Sequence, residues 1–185
     1  MQKLDYGFFN RDKEAAMINL CEAGQILYVS SIDVSIGNGP GVNEREFILS
    51  LYEAIGDRAH FLIPRPMNEV SDLPDSVCTF SSPHRGHSLR HFPGHVLSTM
   101  RLADQITSSR HFDLLVFRLD LLPFAPLYIT RRHHIPYALK TLGQGQMKVF
   151  NEKIGSFLGS SLAGANQLMV RKLVNDAVAV DTVSS

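Results

Sequence analysis

Tryptophan is absent from the 185-residue chain, and cysteine is nearly so, because only Cys21 and Cys78 occur. The two thiols are too far apart to match a metal-binding or redox spacing, so we expect both to be reduced. No apolar run is long enough to cross a bilayer, and residues 1–13 lack the apolar core of a signal peptide. These absences predict a cytoplasmic protein.

The chain also lacks an excess charge of either sign, since 18 Lys and Arg residues face 18 Asp and Glu residues. A net charge of zero argues against nucleic acid as a partner, because such proteins need a basic surface to neutralise phosphates. The hydrophobic share of 44% and the charged share of 19% are ordinary for a globular protein. The length suits one domain with small additions.

Apolar runs and amphipathic stretches alternate along the chain. We predict strands at residues 25–32, 60–64, 77–80, 113–118, 135–139 and 178–183. We predict helices at residues 11–22, 43–56, 93–110, 123–133, 147–158 and 161–177, the last with Leu168 and Leu173 on its apolar face. This order predicts an α/β fold, a Rossmann-like open parallel sheet with helices on both faces. We expect residues 1–24 to form an extension with a short helix and residues 25–185 to form the Rossmann-like domain.

A glycine-rich loop, Gly37-Asn38-Gly39-Pro40-Gly41, follows the first predicted strand. The next helix is predicted to begin at Asn43, with Asn43 and Glu46 as its capping residues. Free N–H groups at a helix start suit an anion such as a diphosphate. A tight strand-to-helix turn that binds nothing is the alternative, and the sequence leaves both open.

Two common nucleotide sites are excluded by their spacing. A dinucleotide site needs Gly-x-Gly-x-x-Gly and an acidic residue after the second strand, whereas the glycines here alternate and that strand ends Ile63-Pro64-Arg65-Pro66. A Walker loop is excluded because no Gly-Lys-Ser/Thr follows.

Four histidines are close together in sequence: His84, His87, His91 and His95. Pro93-Gly94 interrupts the helix that would align them, and no carboxylate or thiol lies among them, so we predict no metal site. We expect instead a polar loop near the ligand crevice, with His84 and His87 as candidate contacts to a sugar or an anionic acceptor.

Two cationic residues end predicted strands, Arg118 and Lys140. Ligands of open parallel sheets bind beyond the carboxyl ends of the strands, so both residues are expected at the mouth of the crevice. Contact with phosphate or sugar is one role for Arg118. A salt bridge with Asp113 or Asp120 is the other, and Lys140 has the same ambiguity.

Several segments together resemble a known family. Residues 26–29 followed by 39–45 (Gly-Pro-Gly-Val-Asn-Glu-Arg) look like the first strand and glycine loop of retaining GT-B glycosyltransferases of the group 1, family 4-like type. Residues 113–118, 135–139 and 177–184 are similar to three later strands of that family, in the same order. The resemblance covers residues 25 to 185.

The resemblance implies an enzyme with two Rossmann-like domains facing a cleft. The first domain binds the acceptor, a sugar or a lipid-linked acceptor, and the second binds the nucleotide-diphosphate sugar. The glycine loop of the first domain approaches the donor diphosphate, which assigns that contact to Gly39 and Gly41. Asn38, His84, His87, Arg118 and Lys140 are the expected acceptor or cleft residues. No metal and no cofactor is implied, and the enzyme works in the cytoplasm or in peripheral contact with the inner face of a membrane.

Two features depart from the family pattern. Many members have a histidine after the strand that matches residues 135–139, and Leu142 occupies that place here. The hinge and the donor domain would follow Ser185, so we expect a longer enzyme and no turnover by this segment alone. A standalone, non-catalytic α/β binding or interaction module remains the alternative.

Overall fold

The computed structural model of the chain describes residues 24–37, 39–80, 92–119, 123–142 and 156–183. Its strands within those ranges are β1 (Ile26–Val29), β2 (Ala59–Pro64), β3 (Val77–Phe80), β4 (Leu114–Arg118), β5 (Tyr137–Leu142) and β6 (Ala179–Val183). Its helices there are α1 (Gly39–Ile55), α2 (Phe92–Ser109), α3 (Phe124–His133) and α4 (Ser156–Asp176). A turn of 3-10 helix, Gly56–Arg58, joins α1 to β2.

The strands form one six-stranded sheet in the order β3-β2-β1-β4-β5-β6. Every neighbouring pair is parallel. The fold class predicted from the sequence, an α/β Rossmann-like open parallel sheet, is confirmed. The continuous apolar runs explain the central position of β1 and β4, because a strand covered on both faces needs apolar residues at successive positions.

Helices pack on both faces of this sheet. On one face α1 covers a core that includes Ile26, Tyr28, Ile48, Leu51, Phe61 and Val116. On the other face α2, α3 and α4 cover a core that includes Leu27, Ala103, Phe117, Ile129, Leu139 and Leu173. The two sets alternate along each strand because successive side chains of a strand point to opposite faces.

The start of α1 differs from the prediction. The helix begins at Gly39, and Asn43 and Glu46 therefore lie inside it rather than at its cap. Pro40 suits the first turn of a helix, since its missing N–H would have no partner inside the helix there. The glycine-rich loop is thus partly helical, and its last three residues form the N-terminal turn of α1.

The helix before β6 also differs from the prediction. The structure has a single helix from Ser156 to Asp176 where two were expected, and residues 147–155 lie outside the described residues. Leu173 is buried as predicted, but Leu168 is 70% exposed. Asn166, about two turns before Leu173, is buried instead, which shows that the helix face against the sheet is rotated from the predicted apolar face.

Other predictions concern residues outside the described ranges: the short helix at 11–22, Asn38, His84 and His87. His95 lies in the first turn of α2 and packs edge-on against Phe80, with ring centroids 5.4 Å apart. Among the helices within the described ranges, none is both long and apolar enough to cross a membrane.

His60, at the start of β2, predicts a pH dependence of stability. Burial lowers the pKa of His60 below its ordinary value of 6.5, and the nearby charge of Arg110 lowers it further. The unfolded chain therefore binds this proton more readily, so stability is lost as the pH falls through 6.5 toward the folded value. We therefore expect the free energy of unfolding of His60→Gln, measured in urea, to rise relative to that of wild type as the pH is lowered from 7 to 5. A difference that does not change with pH would contradict this prediction.

Candidate functional site

The sheet reverses its chain order between β1 and β4. From β1 the sheet continues to β2 on one side, and from β4 it continues to β5 on the other, which is the arrangement beside which open parallel sheets bind ligands. Because the strands are parallel, the carboxyl ends of β1, β4 and β5 lie at the same edge of the sheet. The predicted shared edge is confirmed, and we call it the carboxyl edge.

The loop after β1 is held by Asp33 and Ser35. Asp33 Oδ1 accepts hydrogen bonds from the amide of Ser35 at 2.8 Å and from its hydroxyl at 2.7 Å. The Met67 amide donates to Ser35 Oγ at 3.0 Å and to Asp33 Oδ2 at 3.2 Å, and the Asn68 amide donates to Ser35 Oγ at 3.1 Å. The loops after β1 and β2 are thereby joined. Our sequence reasoning missed this pair, although an Asp two residues before a Ser is a turn signal.

The three glycines of the loop have different surroundings. A Cβ atom at Gly41 would collide with the carbonyl oxygen of Ile36 and would lie 3.0 Å from that of Asp33. Gly41 is therefore required by the packing of α1 on its own loop. A Cβ atom at Gly37 or Gly39 would meet no atom within 4 Å in the part of the chain that the structure describes, and with respect to that part the space beside these two residues is open.

A buried charged cluster lies under the first turns of α1. We call it the Glu44 cluster, and its members are Tyr28, Glu44, Phe47, Arg118 and Lys140. Glu44 is fully buried; its Oε1 accepts a 2.6 Å hydrogen bond from the Tyr28 hydroxyl, and its Oε2 pairs with Arg118 Nη1. Lys140 Nζ lies 3.8 Å from the same Oε2 and 3.5 Å from the centroid of the Phe47 ring, a cation–π distance.

The strand register explains why these side chains meet. Arg118 and Lys140 are direct partners across β4 and β5, and they share with Tyr28 the sheet face that α1 covers. Like charges directly opposite each other destabilise a strand pair. One carboxylate from α1, Glu44, offsets this repulsion because both cations lie against its Oε2.

The predicted site residues are only partly brought together. Arg118 and Lys140 are direct neighbours across β4 and β5. Arg118 ends β4 as expected, but β5 continues to Leu142, so the prediction that Lys140 ends its strand is wrong. The two cations are 3% and 6% exposed, however, so the structure places them beneath α1 rather than at the open mouth of the crevice. Glu44 pairs with Arg118, whereas Asp113 accepts a hydrogen bond from the Gln25 amide. The other predicted partner, Asp120, lies outside the described residues. A contact of either cation with a ligand stays a prediction.

A groove runs beside the glycine loop, between α1 and the segment that links β2 to β3. Its volume is about 330 Å³, and five of its lining residues are apolar: Val34, Ile36, Val42, Leu49 and Val70. Arg45 and Asp72 are paired across it at 2.5 Å, and this hydrogen bond lowers the pKa of the Asp72 carboxyl. Glu46 and Glu69 add carboxylates to the lining. The groove is near the lower end of the size range of small-molecule sites.

The geometry suits anion binding better than acid–base chemistry. The first turn of a helix presents N–H groups at its positive dipole end, and in α1 this end lies beside the space at Gly39 that the described residues leave open. The buried Glu44 carboxylate is shielded from any substrate by α1. No group of three potential metal-ligating side chains occurs within the described residues.

Sequence reasoning missed three members of the Glu44 cluster: Tyr28, Glu44 and Phe47. A signal for Glu44 was present, because residues 44, 48, 51 and 55 recur at helical spacing and the last three are apolar. Extending the buried face of α1 by one turn toward its N-terminus reaches Glu44.

The chain matches no model of a known protein family and no curated protein sequence.

Proposed function

We propose that the chain is the acceptor-side domain of a glycosyltransferase that moves a sugar from a nucleotide-diphosphate sugar to an acceptor hydroxyl. The donor diphosphate would approach the N-terminal turn of α1 at Gly39 and Gly41. The nucleotide and most of the donor contacts would belong to a second domain, so this domain alone would not turn over.

The observation that carries the proposal is the position of the open glycine turn. Gly39 begins a 17-residue helix at the reversal point of the strand order, and among the described residues no atom of another segment lies within 4 Å of the place where its side chain would be. A diphosphate oxygen can come close to backbone only where no side chain intervenes. The N–H groups and the dipole of the helix then favour the negative charge.

Electrostatics at the departing diphosphate give this turn a role in the reaction. Bond cleavage between the sugar and the diphosphate increases the negative charge on the leaving oxygen. Fixed N–H donors stabilise such charge in the transition state, because they need no reorientation when it develops. Under this proposal Gly39 and Gly41 contribute backbone donors and supply no proton.

The proposal predicts weak binding that is confined to the glycine turn. In an NMR titration of the ¹⁵N-labelled chain with pyrophosphate and with uridine diphosphate glucose, we expect small shifts that are largest at the amides of Gly39, Gly41 and Val42. Gly39→Asp would place a carboxylate in the open space beside the turn and is expected to abolish these shifts. Gly164→Asp in α4 makes the same charge change, also where no atom lies within 4 Å, and should leave the shifts unchanged.

Two outcomes would count against the proposal. Tight, stoichiometric binding of a nucleotide by this chain would overturn the division of labour between two domains. Shifts that survive Gly39→Asp would place the anion somewhere other than the turn.

The groove beside the loop favours a second candidate function, a non-catalytic binding module. Its apolar lining residues and its size are compatible with a small ligand that no second domain needs to complete. The natural reading frame distinguishes the two candidates. Continuation past Ser185 into a second Rossmann-like domain favours the enzyme, and a stop codon at Ser185 favours the module.

A further inference from the structure

Glu44 is a buried carboxylate that the proposed ligand contacts do not use. It comes from α1, three residues after Gly41, and it contacts side chains of three adjacent strands. Tyr28 belongs to β1, Arg118 to β4 and Lys140 to β5. One side chain therefore links the N-terminal part of α1 to the centre of the sheet.

Helix packing alone does not require this carboxylate. Further along α1 the same face is filled by Ile48, Leu51 and Ile55, which are between 0% and 6% exposed. Replacing a buried ion pair by apolar residues of similar volume is often neutral or stabilising. Hydrogen bonds and ion pairs differ from apolar contacts in having preferred distances and directions, so they fix the rotation and the axial position of a helix.

The N-terminal turn of α1 is also held on the side away from Glu44, at Gly41. The backbone of Gly41 packs against the carbonyl groups of Asp33 and Ile36, and Asp33 is in turn bonded to Ser35 and to the Met67 amide. The N-terminal turn of α1 thus lies between a backbone contact on one side and the Glu44 carboxylate on the other. Movement of the turn would break both.

We propose that Glu44 is a positioning residue that holds the N-terminal turn of α1 and the two cations Arg118 and Lys140 in one fixed arrangement. The amides of the turn then keep a constant direction toward the open space at Gly39. That an anion occupies this space rests on the proposed function. The positioning role of Glu44 does not depend on the proposed function.

Backbone order in the folded state tests the proposal. The ¹⁵N order parameters of the Gly39, Gly41 and Val42 amides are measured in the full chain for wild type, Glu44→Gln and Ile48→Val. We expect values of about 0.85 in wild type and in Ile48→Val, and values falling toward about 0.6 in Glu44→Gln. Ile48→Val is the matched control because it weakens the next turn of the same buried face without touching the cluster.

A side chain that contributed only to stability would leave these order parameters unchanged in the folded protein. Equal values at the turn in Glu44→Gln and Ile48→Val would therefore overturn the proposal. If Glu44→Gln does not fold, Tyr28→Phe replaces it, since it removes one hydrogen bond to Glu44 and leaves the charges in place. A smaller loss of order at the same amides is expected for it, and no loss would again overturn the proposal.

Pyrophosphate separates this inference from the proposed function. If wild type shows the pyrophosphate shifts at the turn, we expect Glu44→Gln to bind roughly tenfold more weakly, because the turn is no longer preorganised. Unchanged affinity in Glu44→Gln would overturn the positioning role. If wild type shows no such shifts, anion binding at the turn fails as a function, and the order parameters still decide whether Glu44 positions the turn.

Discussion

Replacing Glu44 with Gln is expected to lower the free energy of unfolding by about 3–5 kcal/mol, the range for removing one partner of a buried ion pair. Gln has nearly the shape of Glu, and its amide oxygen can still accept from the Tyr28 hydroxyl. The loss is therefore one of charge, since Arg118 and Lys140 stay buried side by side without the carboxylate that offsets their repulsion. Urea unfolding followed by circular dichroism measures the difference.

Glu46→Gln is the matched control for this measurement. Glu46 lies two residues further along α1 and is exposed, so the same chemical change there should alter stability by less than about 0.5 kcal/mol. If Glu44→Gln costs no more than Glu46→Gln, then solvent reaches the two cations and the cluster is not the buried network that the structure shows.

A double-mutant cycle can measure the coupling free energy between Glu44 and Arg118 apart from their contacts with other residues. Arg118→Met removes one of the two cations, and Lys140 remains beside Glu44. Combining Arg118→Met with Glu44→Gln should cost less than the sum of the single changes, by about 0.5–3 kcal/mol, the range for residues in contact. Additive costs would mean that Arg118 and Glu44 stabilise the fold independently.

The strands were the most predictable part of the fold. β1 and β4 have continuous apolar runs between polar segments, and only a strand buried on both faces needs them. β5 was predicted from residue 135 and instead spans Tyr137–Leu142, because Pro136 has no N–H to donate to the sheet. Parallel pairing then placed the ends of β1, β4 and β5 at one edge, which is why the location of the candidate site followed from the sequence.

The helices were less predictable because tertiary contacts set their limits. A capping residue at 43 was a sound local interpretation, but packing of the Gly41 backbone on the preceding loop allows α1 to begin at Gly39. In α4 the sequence Gly159-Ser160-Ser161 favours a break, and the helix nevertheless runs through it. Local propensities of this size are commonly overridden by packing.

The cations of the site could be predicted from the sequence, but their carboxylate partner could not be assigned, because tertiary contacts decide which residues meet. A cation at the end of a buried strand can be found from the sequence, and Arg118 and Lys140 were found in this way. Its partner comes from an element distant in sequence, since Glu44 and Arg118 are 74 positions apart. Asp113 and Asp120, the partners expected for Arg118, are both close to it in sequence. Helical spacing could also have placed Glu44 on the buried face of α1, where a buried carboxylate needs a cation.

Replacing Gly41 with Ala is expected to lower the free energy of unfolding by about 1–3 kcal/mol, the usual cost of overpacking. The added Cβ would meet the backbone oxygens of Ile36 and Asp33, which cannot rotate away as a side chain could. Alanine is favoured over glycine in a helix by about 1 kcal/mol, which offsets only part of this cost. Thermal unfolding measures the loss, and amide shifts at Met67 and Asn68 would show that the strain reaches the joined loop.

Gly39→Ala distinguishes two reasons for glycine in this turn, namely packing against the preceding loop and close approach of a ligand. Its Cβ would lie in open space, and within the described residues the glycine with a positive φ is Gly56, so alanine fits the backbone at 39. We expect stability to be unchanged or raised by up to about 1 kcal/mol, because alanine restricts the unfolded chain. If Gly41→Ala were equally harmless, the contact with Ile36 would relax without cost and packing would not explain Gly41. Close approach of a ligand would then be the stronger reason for glycine at that position.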